Sequence, residues 1–170
     1  AVEALGDSGV HVAAVSTAFP SGRAPLEVKL ADVRAAVAAG ADEALLLDEE
    51  GDVAEGSGEN PFFVRDGVIY ALEHSVNLEG ITRDSVIRIA KDLGYEVQVV
   101  RATRDQLYMA DEVFMTGTAA EVTPVSMIDW RPIGKGTAGP VALRLREVYL
   151  EAVTGRRPEY EGWLTYVNGQ

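Results

Sequence analysis

Short apolar runs broken by turn residues dominate the chain, and their spacing predicts strands joined mostly as hairpins. Val10–Ser16 (VHVAAVS) reads as a strand, followed by a loop marked by Pro20, Gly22 and Pro25. A helical pattern covers Leu30–Ala39 and stops at Gly40, in the position just past the helix end where glycine accepts positive φ. Ala44–Asp48 then reads as a buried strand, Glu49-Glu50-Gly51 as a turn and Asp52–Glu55 as a returning strand. Phe62–Val64 and Val68–Tyr70 flank Arg65-Asp66-Gly67, whose Asp-Gly pair suits the left-handed turn of a second hairpin.

The clearest helix is expected over Arg83–Leu93, with Thr82 as N-cap, Val86, Ile87, Ile89, Ala90 and Leu93 on one stripe, and Gly94 as C-cap. A strand over Glu96–Arg101 follows, then a short helix opened by Thr103, with Gln106 three residues on to complete a capping box. Val113–Met115 is a buried strand, Thr116–Ala120 a turn of small residues, Glu121–Asp129 a strand and Pro140–Val153 the last long helix. Strands outnumber helices and come as hairpins, which predicts an α+β fold rather than a doubly wound parallel sheet.

Composition narrows the chemistry. The 170 residues suit one domain of about 150 residues, and 47% hydrophobic with 25% charged residues excludes disorder and collagen-like classes. A net charge of −12 argues against nucleic acid and anionic membranes as partners. With no cysteine and only His11 and His74, disulfide, thiol and zinc-thiolate chemistry is excluded and serine-histidine chemistry is hard to build. Each histidine reads as structural, and Arg156-Arg157 as a solvated cap near a helix end. Neither a membrane-length apolar run nor a secretion signal is visible, which predicts a cytoplasmic protein; Ala1 in place of an initiating methionine predicts a piece of a longer polypeptide.

Three places could bind a ligand. Asp48, Glu50, Asp52 and Glu59 fall at calcium-loop positions, but Val53 stands where the loop needs glycine and both flanks read as strands, so a solvated acidic hairpin is the better reading. Gly134–Gly139 spells G-x-G-x-x-G before a helix, yet no second parallel strand with a terminal acid follows, so a plain glycine-rich loop is preferred. Gly80-Ile81-Thr82 enters a helix with free N–H groups and a hydroxyl, and Thr116–Ala120 offers two hydroxyls and accessible amides. Both turns are suited to one phosphate group.

Glu55-Gly56-Ser57-Gly58-Glu59-Asn60, Leu78–Asp84 and Ala110–Val125 together resemble the class IV pyridoxal-phosphate aminotransferases, and among them the branched-chain amino acid aminotransferases best. The resemblance runs from about Val10 to Val167 and covers that family's larger, cofactor-carrying C-terminal domain, so that residues 1–170 are one such domain without the smaller N-terminal one. It implies the fold type IV architecture of the D-amino acid aminotransferase-like enzymes, a hairpin-rich sheet or pseudo-barrel with packed helices. Pyridoxal 5'-phosphate is the implied cofactor. Glu55 would pair with its ring nitrogen, keeping the nitrogen protonated so that the ring can accept electrons. Glu59 and Asn60 would support Glu55, Leu78 would pack on the ring, and Gly80, Ile81, Thr82 and Thr118 would hold the phosphate. Thr118, Ala119 and Ala120 would also present amides to the substrate carboxylate.

The resemblance places the cofactor-bearing catalytic lysine at Lys29, ahead of the helix that leads into the Ala44–Asp48 strand. Where the family continues with a Gly-x-Tyr-like segment, this chain has Leu30-Ala31-Asp32-Val33, and the stretch to Gly40 is shorter by about two helical turns. Other departures are Pro61, Ala71 and Trp130, where an aliphatic residue, threonine and glycine are usual. The implied activity is transamination between leucine, isoleucine or valine and 2-oxoglutarate, in a homodimer whose N-terminal domains lend an arginine to the phosphate. The alternatives are a D-amino acid aminotransferase or aminodeoxychorismate lyase on the same cofactor site, or a non-catalytic remnant that binds the cofactor or phosphate.

Overall fold

The computed structural model describes residues 11–16, 25–73 and 78–167. Among the described residues nine strands form one sheet: β1 (His11–Ser16), β2 (Glu43–Leu47), β3 (Val53–Glu55), β4 (Asn60–Arg65), β5 (Val68–Leu72), β6 (Val97–Val100), β7 (Glu112–Gly117), β8 (Glu121–Ile128) and β9 (Arg131–Pro132). Their order is β3-β2-β1-β8-β7-β4-β5-β6, with β9 paired to β8. Antiparallel pairs join β2–β3, β4–β5, β4–β7, β7–β8 and β8–β9, and parallel pairs join β1–β2, β1–β8 and β5–β6. The α+β expectation therefore holds, with both expected hairpins present. Asp66 (φ 51°) and Gly67 (φ 79°) make the left-handed turn of the second.

Four α-helices accompany the sheet among the described residues: α1 (Leu26–Ala38), α2 (Ile81–Asp92), α3 (Arg104–Tyr108) and α4 (Pro140–Val153), followed by a 3-10 helix over Pro158–Trp163. Two cores lie on the two sheet faces. One joins Phe62, Ile69, Phe114 and Val122 to Val86 and Ile89 of α2 and Leu145 and Val148 of α4. The other gathers Leu45, Phe63, Val113, Met115 and Val125 with Leu107 of α3. Strand alternation explains the split, because Phe62 and Phe63 must point to opposite faces. Each face has a stacked ring pair, Phe62 on Phe114 at 4.9 Å and Phe63 on Tyr70 at 4.7 Å.

Helix boundaries depart from the sequence pattern where packing decides them. Helix α1 begins at Leu26, behind Pro25, rather than at Leu30, since Pro25 has the fixed φ (−54°) that suits a helix start. Helix α2 begins at Ile81 with Gly80 as N-cap, so Thr82 is not the cap but a buried residue at the second helical position. Its C-cap is Leu93, and Gly94 follows at φ 85°. The capping box of Thr103 and Gln106 and the full span of α4 match the pattern. Thr116 and Gly117 belong to β7, which shortens the small-residue turn, and Asp52 forms only an isolated bridge to Thr103. Val10, Pro20, Gly22 and His74 lie outside the described residues.

Both decoy motifs have internal partners. Arg101 places its guanidinium among Asp48 (2.6 Å), Glu50 (2.9 Å) and Asp52 (3.0 Å), so the acidic hairpin is bridged by the chain's own cation rather than simply solvated. The glycine-rich loop ends at Gly139, the N-cap of α4, and there the buried Glu112 carboxylate accepts the N–H groups of Val141 (3.1 Å) and Ala142 (2.9 Å). A Cβ on Gly139 would come within 2.0 Å of that carboxylate, which is why the position is glycine. Arg157, expected as a solvated cap, instead pairs with Glu151 (2.7 Å) and Glu159 (3.4 Å). Replacing Glu112 with alanine leaves the start of α4 without its acceptor in a buried setting. Urea unfolding should show a loss of about 2 kcal/mol, and an unchanged midpoint would contradict the capping role.

Candidate functional site

The loop from β3 to β4 carries the E-G-S-G-E-N residues and is pinned at both ends. Gly56 N–H donates to Glu59 O (2.7 Å), and the Glu43 carboxylate accepts Ser57 N–H (2.8 Å), Ser57 Oγ (2.6 Å) and Ala44 N–H (2.7 Å). A Cβ at Gly56 would meet Met115 Cε at 2.9 Å, so the loop lies flat on β7. Asn60 then enters β4 opposite Thr116, whose hydroxyl donates to Asn60 O at 3.3 Å.

On the face shared with α2, this loop meets the start of that helix. Leu78 N–H donates to Glu55 Oε2 (3.1 Å), and Asn60 Nδ2 donates to Leu78 O (2.9 Å). A Cβ on Gly80 would sit 2.1 Å from Asn60 Oδ1, so only glycine lets α2 begin against this side chain. Gly80 also contributes no side-chain cap, which leaves the first amides of α2 and the positive end of its dipole for another acceptor. Arg83, 2% exposed, anchors the helix by donating to Leu72 O (2.8 Å) and to Asp84 (3.1 Å). Leu78 and Ile81, by contrast, are 74% and 85% exposed beside the Glu55 carboxylate.

Glu59 points the other way. It neighbours Asn60 in an extended segment, so its side chain leaves the opposite sheet face and lies against Gly117, where a Cβ would be 3.2 Å from Glu59 Cγ. There it lines a cavity of about 390 Å³ with Glu43, Ala119 and Ala120. Burial first, and then the charge of Glu43, push its carboxyl up to about 7. Thr118 is exposed in the turn between β7 and β8, and Thr123 Oγ1 donates to Ala120 O (2.7 Å) to hold that turn. Lys29 stands half-buried on the first turn of α1, a helix packed on β1 and β2.

The structure thus gathers Glu55, Asn60, Leu78, Gly80, Ile81 and Thr82 at the start of α2. It gathers Glu59, Ala119 and Ala120 in a second place, a cavity at the β7–β8 turn that Arg146 of α4 also lines. Glu43, which lines this cavity and holds Ser57, was not singled out by the sequence. Its signal was available only as an acid at the start of a predicted strand, with nothing to link it to Ser57 and Glu59.

A family described as amino-transferase class IV matches residues 28–128. The chain belongs to this family. Among curated proteins, it is 46% identical over 157 residues to the branched-chain-amino-acid aminotransferase of Pseudomonas aeruginosa, covering 92% of this chain and 51% of that protein. It is 52% identical over 136 residues to the probable branched-chain-amino-acid aminotransferase of Aquifex aeolicus, covering 78% of this chain and 43% of that protein. The chain spans about half the length of the curated relatives it matches. Among solved structures, the T.th. branched-chain amino acid aminotransferase with pyridoxamine 5'-phosphate superposes with a TM-score of 0.83 at 80% identity, covering 95% of this chain and 56% of that one. The Escherichia coli branched-chain enzyme superposes at 0.81 with 38% identity, covering 94% and 58%. These structural neighbours are class IV aminotransferases, as the fold expectation required.

Two measurements test the geometry. Gly80→Ala should cost about 1–3 kcal/mol in urea unfolding, and most of that cost should vanish in an Asn60→Ala background; additive costs would show that the two do not touch. For Glu59, folding raises its proton affinity, so the folded chain holds more protons than the unfolded one between about pH 4.5 and 7. Its stabilising contribution is full below that window and is lost as pH climbs through it. Glu59→Gln should flatten this part of the stability profile, whereas a profile parallel to the parent's would contradict the assignment.

Proposed function

We propose that the chain is the cofactor-carrying domain, residues 1–170, of a branched-chain amino acid aminotransferase, exchanging an amino group between leucine, isoleucine or valine and 2-oxoglutarate. One observation carries the reading: the Glu55 carboxylate and the uncapped start of α2 are joined through Leu78 and Gly80 into a single surface. Pyridoxal phosphate fits it in charge and in polarity. The carboxylate suits a protonated ring nitrogen, the exposed Leu78 and Ile81 suit an apolar ring, and the helix start suits a phosphate. When bound, the cofactor supplies an electron sink for breaking the substrate's Cα–H bond.

The residues divide the remaining work. Glu55 holds a proton on the ring nitrogen by charge pairing, and Asn60, through Leu78 O, keeps the Leu78 segment in reach of Glu55. The N–H groups of Ile81 and Thr82, with Thr118, hold the phosphate, and Gly80 lets the start of α2 close on Asn60. Lys29 provides the amine that would take the proton from the substrate Cα and deliver it to C4′ of the cofactor. The amides of Ala119 and Ala120 orient the substrate carboxylate. A smaller N-terminal domain completes the pocket over the exposed Leu78 and Ile81, and the enzyme works as a homodimer in the cytoplasm. The branched-chain names of the relatives do not favour the D-amino acid, lyase or remnant alternatives.

The reading is tested by adding pyridoxal phosphate to the purified chain, reducing with borohydride and mapping the modified peptide. Attachment at Lys29, saturable by inorganic phosphate competition and weakened at least tenfold in Glu55→Ala, is the expected result. Attachment scattered over surface lysines, with Glu55→Ala unchanged, would sink it. Joining the chain to an N-terminal domain of a relative should restore transamination of leucine.

A further inference from the structure

The cavity beside the Ala119–Ala120 turn is unusual for a place meant to receive a carboxylate, because it is walled by acids. Glu43 opens β2 and Glu59 precedes β4, while Asp42 and Glu121 add carboxylates from the approach to β2 and the start of β8. Arg146, from α4, is the cation among the described residues lining it. Apolar Met115 and Val125 form its floor. An anionic ligand entering with every acid ionised would meet like charges across a small, partly desolvated space.

The two central acids are not equivalent. Glu43 has one carboxylate oxygen already occupied by three donors, Ala44 N–H, Ser57 N–H and Ser57 Oγ. Glu59 is half-buried against Gly117. When the pair holds one proton, that proton therefore belongs on Glu59. We propose that the Glu59–Glu43 pair gates the Ala119–Ala120 turn by charge, so that a carboxylate ligand binds in this cavity together with one proton, taken from solvent onto Glu59. The upward shift of the Glu59 carboxyl to about 7 places the gate in the neutral range. Glu59 is then a positioning residue that selects the ligand's charge. The proposal rests on the assignment of the turn as the substrate carboxylate site and adds to it a proton requirement.

Carbon-13 NMR of glutamate carboxyls in the purified chain, assigned by difference with Glu59→Gln, reads the proton directly without ligand. The probe for the gate is 4-methylvalerate, followed by calorimetry from about pH 6 to about pH 8.5. Glu59 should titrate near neutrality, and the probe's Kd should rise toward tenfold per pH unit above that midpoint. In Glu59→Gln the Kd should change less than about twofold over the same range, staying near the parent's low-pH value. In Glu43→Gln the midpoint should move to lower pH. A Glu59 carboxyl that titrates in the ordinary glutamate range overturns the proposal whatever the ligand does. Equal binding at both ends of the pH range overturns the gate and leaves the turn's role intact. A neutral-range Glu59 with no probe binding at any pH overturns the carboxylate-site reading, and the gate with it.

Discussion

The candidate site depends on the absence of one carbon atom. Because residue 80 is glycine, the start of α2 can close on Asn60 to a distance at which any Cβ would overlap the side-chain oxygen. That contact sets where α2 begins relative to β4, and Asn60 in turn holds Leu78, whose N–H reaches Glu55. A carboxylate, an extended segment and a helix start thereby become one unit. The same substitution of hydrogen for a side chain leaves α2 without a cap of its own, so the feature that fixes the geometry also leaves the amides for a ligand.

Helix α4 shows the contrasting solution. It too opens on a glycine that admits close approach, but the approaching group is the chain's own Glu112, which satisfies two of the first amides in a buried setting. The acidic hairpin is resolved in the same manner by Arg101. Both features resemble ligand sites when read as strings of letters, and both are closed by an internal ion of opposite character. What distinguishes the start of α2 is that the chain directs a backbone contact and an amide, rather than a countercharge, toward it.

The sheet separates functions by parity. Glu59 and Asn60 are neighbours in sequence, yet the extended backbone sends one to the cavity beside Ala119 and Ala120 and the other to α2. The E-G-S-G-E-N loop therefore serves two places at once, with Glu55 and Asn60 at the start of α2 and Glu59 with Glu43 at the cavity. The loop between them is pinned at Gly56 and Ser57 by hydrogen bonds to Glu59 O and the Glu43 carboxylate. On one side this arrangement leaves apolar Leu78 and Ile81 in the open, and on the other it concentrates acid charge in a small cavity.

Local patterns determined the strands β1 to β8 but not β9, both expected hairpins, the capping box at Thr103 and the length of α4, because each depends on neighbours a few residues apart. The family resemblance likewise came from contiguous motifs. The motif string by itself placed Glu55, Asn60, Leu78 and Gly80 in one functional set, but it could give no reason for Gly80, since the atom that demands it lies twenty positions away on another element. Tertiary structure alone decided that α2 starts at Ile81 rather than at Arg83, that Glu112 and Arg101 close the two decoy motifs, and that Glu59 faces Glu43. Each of these is a contact between charges or atoms distant in sequence, and such contacts exist only once the sheet has set its register.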